Sequence, residues 1–501
     1  MRLLILLCCM CIGACSSVPV LPEKTPSYKV SPPHDTNLGE FIAKSLQQHA
    51  GETGVLPLMS GVDAYIARLA IVKGATKSID MQYYIYRNDD TGKLLLWQLI
   101  DAADRGVRVR ILLDDLTTKN QDENLLLLAR HPNIDVRLFN PAFERRFRGW
   151  AMIADFGRLN NRMHNKSLTV DNQISIVGGR NIGNEYFSNN DDVDFGDFDL
   201  LSVGKAVDEI SEQFDQYWNA PIAVEIAELS DPKFDQLAIT SATEAVELQK
   251  EAFKNNPYLE KLKMSELLAA IQNQSLGWYW GDAQVIYDPP EKVLGEQQEH
   301  WLLSDLSSFL SQAKQQVVIV SPYFVPTSSG TDELVRAARS GIDITVITNS
   351  LAATDVLAVH SGYQRYRERL LRGGVKIFEV KADAEDKPSG WKGSSKTSLH
   401  AKTFIIDSQS IFVGSFNFDP RSAYINTEMG VIFDAQDLAS ELQQGVMASL
   451  NKTAYEVKLV DDELVWLDKA TGQYKYAEPS AGFWRKFMAG LLSLLPIESQ
   501  L

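Results

Sequence analysis

His164-Asn165-Lys166-Ser167-Leu168-Thr169-Val170-Asp171, followed after six residues by Gly178-Gly179-Arg180-Asn181, returns later in the chain as His400-Ala401-Lys402-Thr403-Phe404-Ile405-Ile406-Asp407 and, again after six residues, Gly414-Ser415-Phe416-Asn417. The two histidines lie 236 residues apart (400 minus 164), and the aspartates, glycines and asparagines keep that offset. Leu168 and Val170, then Ile174 and Ile176, alternate around Asp171-Asn172-Gln173, which predicts a β-hairpin in each copy. Residues two apart on a strand share a face, so each histidine points the same way as its lysine. Folding the hairpin about its turn carries Asn181 toward His164 and Asn417 toward His400.

The duplication extends beyond the hairpins. Ala75 to Tyr84 parallels Ala313 to Pro322, a helix end running into a buried strand. Leu94 to Arg105, stopped by Gly106 and followed by Val107 to Leu113, parallels Leu334 to Ser340, Gly341 and Ile342 to Ile347. Helix, glycine stop and apolar strand are βαβ grammar. The fold class is therefore α/β, with two domains at residues 51–240 and 276–455 related by pseudo-two-fold symmetry. A charged helical connector covers 241–275 and a tail without a repeat partner covers 456–501.

Each hairpin offers an imidazole, an ammonium and an amide together, which is what a phosphodiester needs. Its non-bridging oxygens want cations and amide donors already in place when charge develops at phosphorus. Displacement there is in line, so nucleophile and leaving group sit on opposite sides. A two-fold pair sets one histidine to attack and the other to protonate the departing oxygen. Each imidazole is best held in one tautomer by an acid. Asp197 and Glu428, each just before an apolar strand, are the candidates, with Asp199 a rival to Asp197 on the same strand face. No second histidine or acidic cluster stands at ligand spacing beside either copy, so neither metal nor other cofactor is expected.

All four cysteines (Cys8, Cys9, Cys11, Cys15) fall in the first fifteen residues, so the body of the chain holds no disulfide or thiol site. Arg2 before Leu3-Leu4-Ile5-Leu6-Leu7, ending in Ile12-Gly13-Ala14-Cys15, resembles a bacterial lipoprotein signal over residues 1–14, with acylation at Cys15. Ser16 in the next position resembles an outer-membrane address, placing the protein on that membrane facing the periplasm. Residues 15–50, with Pro19, Pro22, Pro26, Pro32 and Pro33, read as a spacer. In the tail, Trp484, Phe487, Met488, Leu491, Leu492 and Leu495 share one helical face, which fits an interfacial membrane helix or a helix docked on the protein's own core. Trp278 and Trp280 read as core packing at the start of the second domain, and His360 as a residue of a surface helix. A net charge of −16 makes a polyanion a poor partner, so no nucleic acid is expected.

The paired motifs, each with its trailing glycine and asparagine, resemble the HxKxxxxD signature of the phospholipase D superfamily. Arg162 to Lys166, Val177 to Gly183, Asn349 to Asp355 and Leu494 to Glu498 resemble its cardiolipin synthase C branch. That resemblance implies two domains, each a mixed sheet flanked by helices, and transfer of a phosphatidyl group between membrane phospholipids through a phosphohistidine. Phosphatidylglycerol with phosphatidylethanolamine, or with a second phosphatidylglycerol, is the natural pair. Hydrolysis to phosphatidic acid is the alternative and a nuclease-type phosphodiesterase stands behind it. The expected catalytic set is His164, Lys166, Asp171, His400, Lys402 and Asp407, with His164 as nucleophile and His400 as acid and base. Asn181, Asn417 and Ser415 are expected on the phosphate. Gly179 replaces serine in the first copy, which removes a hydroxyl there and leaves a backbone amide as substitute.

Overall fold

The computed structural model describes residues 24–33, 36–190, 194–229, 236–295, 301–382 and 397–501. The signal-like stretch and Cys15 lie outside the described residues. In the first half the strands are β1 (Thr53–Leu58), β2 (Ser78–Tyr83), β3 (Arg108–Asp114), β4 (Ile134–Phe139), β5 (Ser167–Val170), β6 (Ile174–Gly178), β7 (Asp194–Gly196), β8 (Asp199–Gly204) and β9 (Ala223–Glu225). The second half has β10 (Tyr279–Tyr287), β11 (Gln316–Val320), β12 (Asp343–Asn349), β13 (Lys376–Val380), β14 (Thr397–Leu399), β15 (Thr403–Ile406), β16 (Ser410–Gly414), β17 (Met429–Asp434), β18 (Ala454–Val460), β19 (Glu463–Asp468) and β20 (Gln473–Lys475).

Across the sheet the first half runs β9-β4-β3-β2-β5-β6-β8-β1. The second runs β18-β13-β12-β11-β15-β16-β17-β10 in the same order and sense. β1 and β10 pair antiparallel, Thr53 opposite Gly281, and fuse the halves into one sheet. The central trio of each half is parallel, and β2 is buried along its whole length. That explains an unbroken run rather than an alternating one. Gly106 (φ 91°) and Gly341 (φ 104°) follow the helices Asp90–Asp104 and Thr327–Arg339 in the left-handed region, where glycine carries no Cβ clash. Val55, Phe198 and Leu200 of one half share a core with Val318, Val431 and Phe433 of the other.

Three expectations need correction. The boundary at 455 falls inside β18, which pairs with β13 as β9 pairs with β4, so the repeat continues into the tail. It escapes a pattern search because β9 is only three residues long, whereas β18 has seven and continues into β19 and β20. The spacer is not free chain over its described part. Asn37–Gln48 is a helix capped by Thr36, with Ile42 in the core and Leu38 and Leu46 against it at i, i+4 spacing. Lys24 and Lys29 hold the stretch before it on Ala220 and Asp215 through a side chain and a backbone amide. Trp280 stacks flat on His49 (4.2 Å, 4°), and with Trp278 packs on the first half's core rather than the second's.

Candidate active site

Backbone pairing decides which acid meets which histidine. His164 N–H donates to Thr427 O (2.9 Å) and Thr427 N–H to Arg162 O (2.9 Å), a short parallel bridge between the halves. The next residue, Glu428, therefore lies beside His164, and its Oε2 is 2.8 Å from the imidazole Nδ1. The other side repeats this. β7 pairs parallel with β14, His400 N–H donates to Gly196 O (2.7 Å), and the next residue, Asp197, sets Oδ2 2.6 Å from His400 Nδ1. Each acid follows the hairpin of its own half in sequence yet serves the histidine of the other half. Asp114 secures the approach to His164 by accepting from Met163 N–H (2.9 Å) and Arg162 (3.2 Å).

Asp199 does not compete with Asp197. β8 starts at Asp199, so Asp197 precedes the strand and the shared-face argument fails. Asp199 is buried in ion pairs with Arg68 (2.9 Å) and Arg180 (3.3 Å). Arg180 in turn donates to the carbonyl of Asp197 (2.6 Å), fixing the loop that presents that acid. Gly179 is required by the same loop, because a Cβ there would lie 2.2 Å from Asp197 Oδ1. Its amide is taken by Phe198 O (3.2 Å) rather than left for a ligand.

Ser415, at the matching position of the second copy, gives its hydroxyl to Glu428 Oε2 (2.5 Å), and Ser422 gives its own to Oε1 (2.8 Å). Ser415 thus supports the acid instead of standing free for a phosphate. Asn181 is also engaged: its Oδ1 accepts from Ile85 N–H (3.1 Å) and its Nδ2 donates to Tyr186 Oη (3.0 Å). Asn417 differs, its buried Oδ1 having no hydrogen-bond partner among the described residues. Asp171 and Asp407 are not brought to the histidines. They occupy the hairpin turns at φ 54° and 52°, at the far ends of β5 and β15. Asp171 accepts from the backbone of Thr76, Lys77 and Ser78, and Asp407 from Lys314, Gln315 and Gln316. Both act as clasps on the start of the central strand, a structural task the spacing alone does not reveal.

His164, Lys166, His400 and Lys402 are all buried. Lys166 Nζ bonds His164 O (2.6 Å), and Lys402 Nζ bonds His400 O and lies over the ring edge, 3.0 Å from His400 Nδ1 and 3.3 Å from Nε2. Burial drives the His164 imidazole down to about 4 against the pull of Glu428, and the Lys166 ammonium to about 7. Burial likewise lowers Lys402, and burial plus the Lys402 cation lowers His400. Burial pushes both carboxyls up, but the facing histidine and lysine outweigh it, and Asp197 and Glu428 stay below the ordinary range. Each pair is therefore carboxylate plus neutral imidazole, with Nδ1–H donated to the acid and the lone pair on Nε2. Among the described residues no group of three His, Cys, Asp or Glu is arranged to hold a metal ion.

Sequence reasoning missed the aromatic walls. Tyr84 meets His164 edge-on (5.1 Å), while Tyr186 (5.3 Å) and Phe195 (5.1 Å) flank His400. The one available signal was Tyr84, placed just past the C-terminal end of a central parallel strand, where α/β sheets build their sites. His360 is not on the surface. Its helix, Leu357–Tyr363, buries it against Tyr363, 3.8 Å from Glu478.

A family model described as cardiolipin synthase, PLD-like domain, matches residues 69–218 and 306–448. The chain is 38% identical over 472 residues to cardiolipin synthase C of Escherichia coli K12, covering 92% of this chain and 99% of that one. It is 27% identical over 425 residues to a cardiolipin synthase of Staphylococcus aureus Mu50, covering 85% and 69%. Phosphatidylserine synthase of Haemophilus influenzae superposes with a TM-score of 0.57 at 12% identity, covering 92% and 99%, which is a likeness of fold.

Proposed function

Because the chain belongs to the cardiolipin synthase family of phospholipase D-like proteins, we propose that it transfers a phosphatidyl group between membrane phospholipids through a phosphohistidine. The observation that carries this reading is the crossed arrangement of two neutral histidines, each on a buried carboxylate from the other half. His164 Nε2 attacks the phosphorus of a phosphatidylglycerol donor. The P–N bond forms as the bond to the headgroup oxygen breaks, and His400, which takes up a solvent proton on Nε2 as the anionic substrate enters, delivers that proton to the oxygen. Lys166, Lys402 and Asn417 face the non-bridging oxygens. His400 then takes the proton of an acceptor hydroxyl, whose oxygen attacks the phosphorus and frees His164. The order of the two histidines follows the position of the first motif in the family.

With a second phosphatidylglycerol as acceptor the product is cardiolipin, and phosphatidylethanolamine supplies the same phosphatidyl group by losing ethanolamine. Incubating the protein with phosphatidylglycerol, with and without phosphatidylethanolamine, and resolving the lipids tests this. Cardiolipin that disappears in His164→Ala supports transfer, while phosphatidic acid alone replaces the reading with hydrolysis. No helix among the described residues is long and apolar enough to cross a membrane. Attachment is assigned to acyl chains on Cys15 in the outer membrane, facing the periplasm, where two or three chains hold a protein almost permanently. Unchanged membrane recovery of Cys15→Ser would overturn that assignment.

A further inference from the structure

Among the exposed large apolar side chains of the described residues, two groups are dense, one before the first motif and one in the tail. Trp150, Ile153 and Phe156 are 52–71% exposed on the short helices Arg148–Ala154 and Phe156–Leu159. Trp484, Phe487 and Leu494 are 52–80% exposed on or just past the helix Phe483–Ser493, of which only Ala489 is buried. The tail helix is thus fixed to the protein by something other than its apolar face: Arg485 donates to Leu351 O (2.5 Å) and to Thr354 O.

Both clusters are tied to each other and to the site. Asn160, four residues past Phe156, donates to Gln500 (2.9 Å), six residues past Leu494, and Arg421 bonds the carbonyls of both (3.1 Å each). Asn160 leads directly into His164. Leu351, where Arg485 is anchored, follows Asn349, whose amide pairs with both N–H and C=O of Leu399 (2.9 Å each) immediately before His400. Their charge runs against the rest of the chain. Arg145 and Arg148 are spent on Asp115 and Asp122, Arg158 on Asp155 and Arg485 on backbone carbonyls, which leaves Arg146 beside the first cluster and Lys486 beside the second, in a chain of net charge −16.

We propose that the two clusters form one membrane-insertion rim, seated in an anionic phospholipid bilayer so that the paired histidines sit at headgroup level. Aromatic and aliphatic side chains with adjacent cations are the chemistry of interfacial binding, the apolar groups entering the acyl boundary and the cations meeting lipid phosphates. A soluble surface does not ordinarily keep such groups exposed on two joined segments. The rim rests on the reading that the substrate is a membrane phospholipid, and it adds an orientation that a flexible acyl anchor cannot supply.

The full-length body has no cysteine beyond Cys15, so single probes are placed by Ile153→Cys, Leu491→Cys and, at the opposite end of β2, Lys77→Cys, whose side chain is exposed. Each is labelled with a polarity-sensitive fluorophore, and the label is mapped to its peptide. On phosphatidylglycerol vesicles the emission at 153 and 491 shifts to the blue and is lost when the acyl chains are brominated, while the probe at 77 reports only proximity from the anchor and keeps an aqueous spectrum. Aqueous spectra at 153 and 491 would overturn the rim, as would a blue shift that needs no lipid and grows with protein concentration, which would mark a second copy as the occupant. A protein that makes cardiolipin with aqueous probes loses the rim and keeps the activity. One that inserts both probes and makes no cardiolipin keeps the rim and loses the activity.

Discussion

Glu428→Gln isolates the crossed pairing. The carboxylate is fully buried and accepts from His164 Nδ1 at 2.8 and 3.1 Å and from the hydroxyls of Ser415 and Ser422. Glutamine keeps the volume but turns one acceptor into a donor. With an NH₂ facing Nδ1, the imidazole carries its proton on Nε2 and has no lone pair for phosphorus. A carboxylate-to-amide change behind a catalytic histidine lowers turnover about 10⁴-fold in the Ser-His-Asp case, and a loss of about 10³–10⁴ is expected here, equivalent to ~4–5.5 kcal/mol of barrier. The assay is quench-flow with phosphatidylglycerol labelled at its phosphorus, scoring label held on the protein by an acid-labile, base-stable bond. Glu428→Gln should form none, as His164→Ala does, although Glu428 belongs to the half that contains His400. Asp197→Asn should behave oppositely when p-nitrophenol is the leaving group. That group departs without a proton, so the first step recovers and the labelled enzyme accumulates for want of a base. A drop of less than about tenfold in Glu428→Gln, or labelled enzyme formed at the normal rate, would refute the pairing.

Lys166, held at about 7 by burial, is charged below that pH and neutral above it. Since the cation is the form that binds an anionic phosphate, kcat/KM should fall as pH rises through about 7; Lys166→Arg, charged throughout, should flatten that limb in a pH profile even if the maximum is lower. His164, pushed to about 4, stays unprotonated through the ordinary acidic range, so no loss attributable to it should appear near pH 6. Gly179→Ala places a methyl 2.2 Å from Asp197 Oδ1 and should reduce turnover while Ser415→Gly, which keeps space but removes a donor to Glu428, does so less steeply. Asp171→Ala leaves three backbone amides, that of Ser78 buried, without an acceptor and should destabilise by about 2 kcal/mol in chemical denaturation, with the folded fraction still competent. Asp407, held below the ordinary range although burial opposes it, is favoured by three backbone N–H donors. Its contribution is therefore present above the unfolded value near 4 and is lost as pH falls through the lower folded value. The stability gap to Asp407→Asn should accordingly close below about pH 4 and stay open at neutrality.

The residues of the site were far easier to name from sequence than their connections. The hairpins, the glycine stops and the parallel pairs β2–β3 and β11–β12 follow from periodicity, because those features are local, whereas the third parallel strand of each half, β4 and β13, is not placed by it. The partners of Asp197 and Glu428 are not local: they are set by bridges at Met163–Thr427 and β7–β14 between distant segments. The motif aspartates misled for a related reason. Asp171 and Asp407 belong to the same strings as the histidines, yet about seven residues of strand separate them from the site, some 20 Å at ~3.3 Å per residue. Likewise Gly179 read as a missing hydroxyl, when the relevant fact is the close approach of Asp197, visible only in three dimensions.

The crossed carboxylates also have a genetic consequence. A duplicated gene normally leaves one copy free to decay, but here the lesion in either half disables the histidine of its neighbour, so selection sees both copies as one locus. The paired acids differ in a matched way across the seam, a longer acid with serine behind it on one side and a shorter acid with glycine on the other. The chain behaves as a dimer that has been made heritable as a unit.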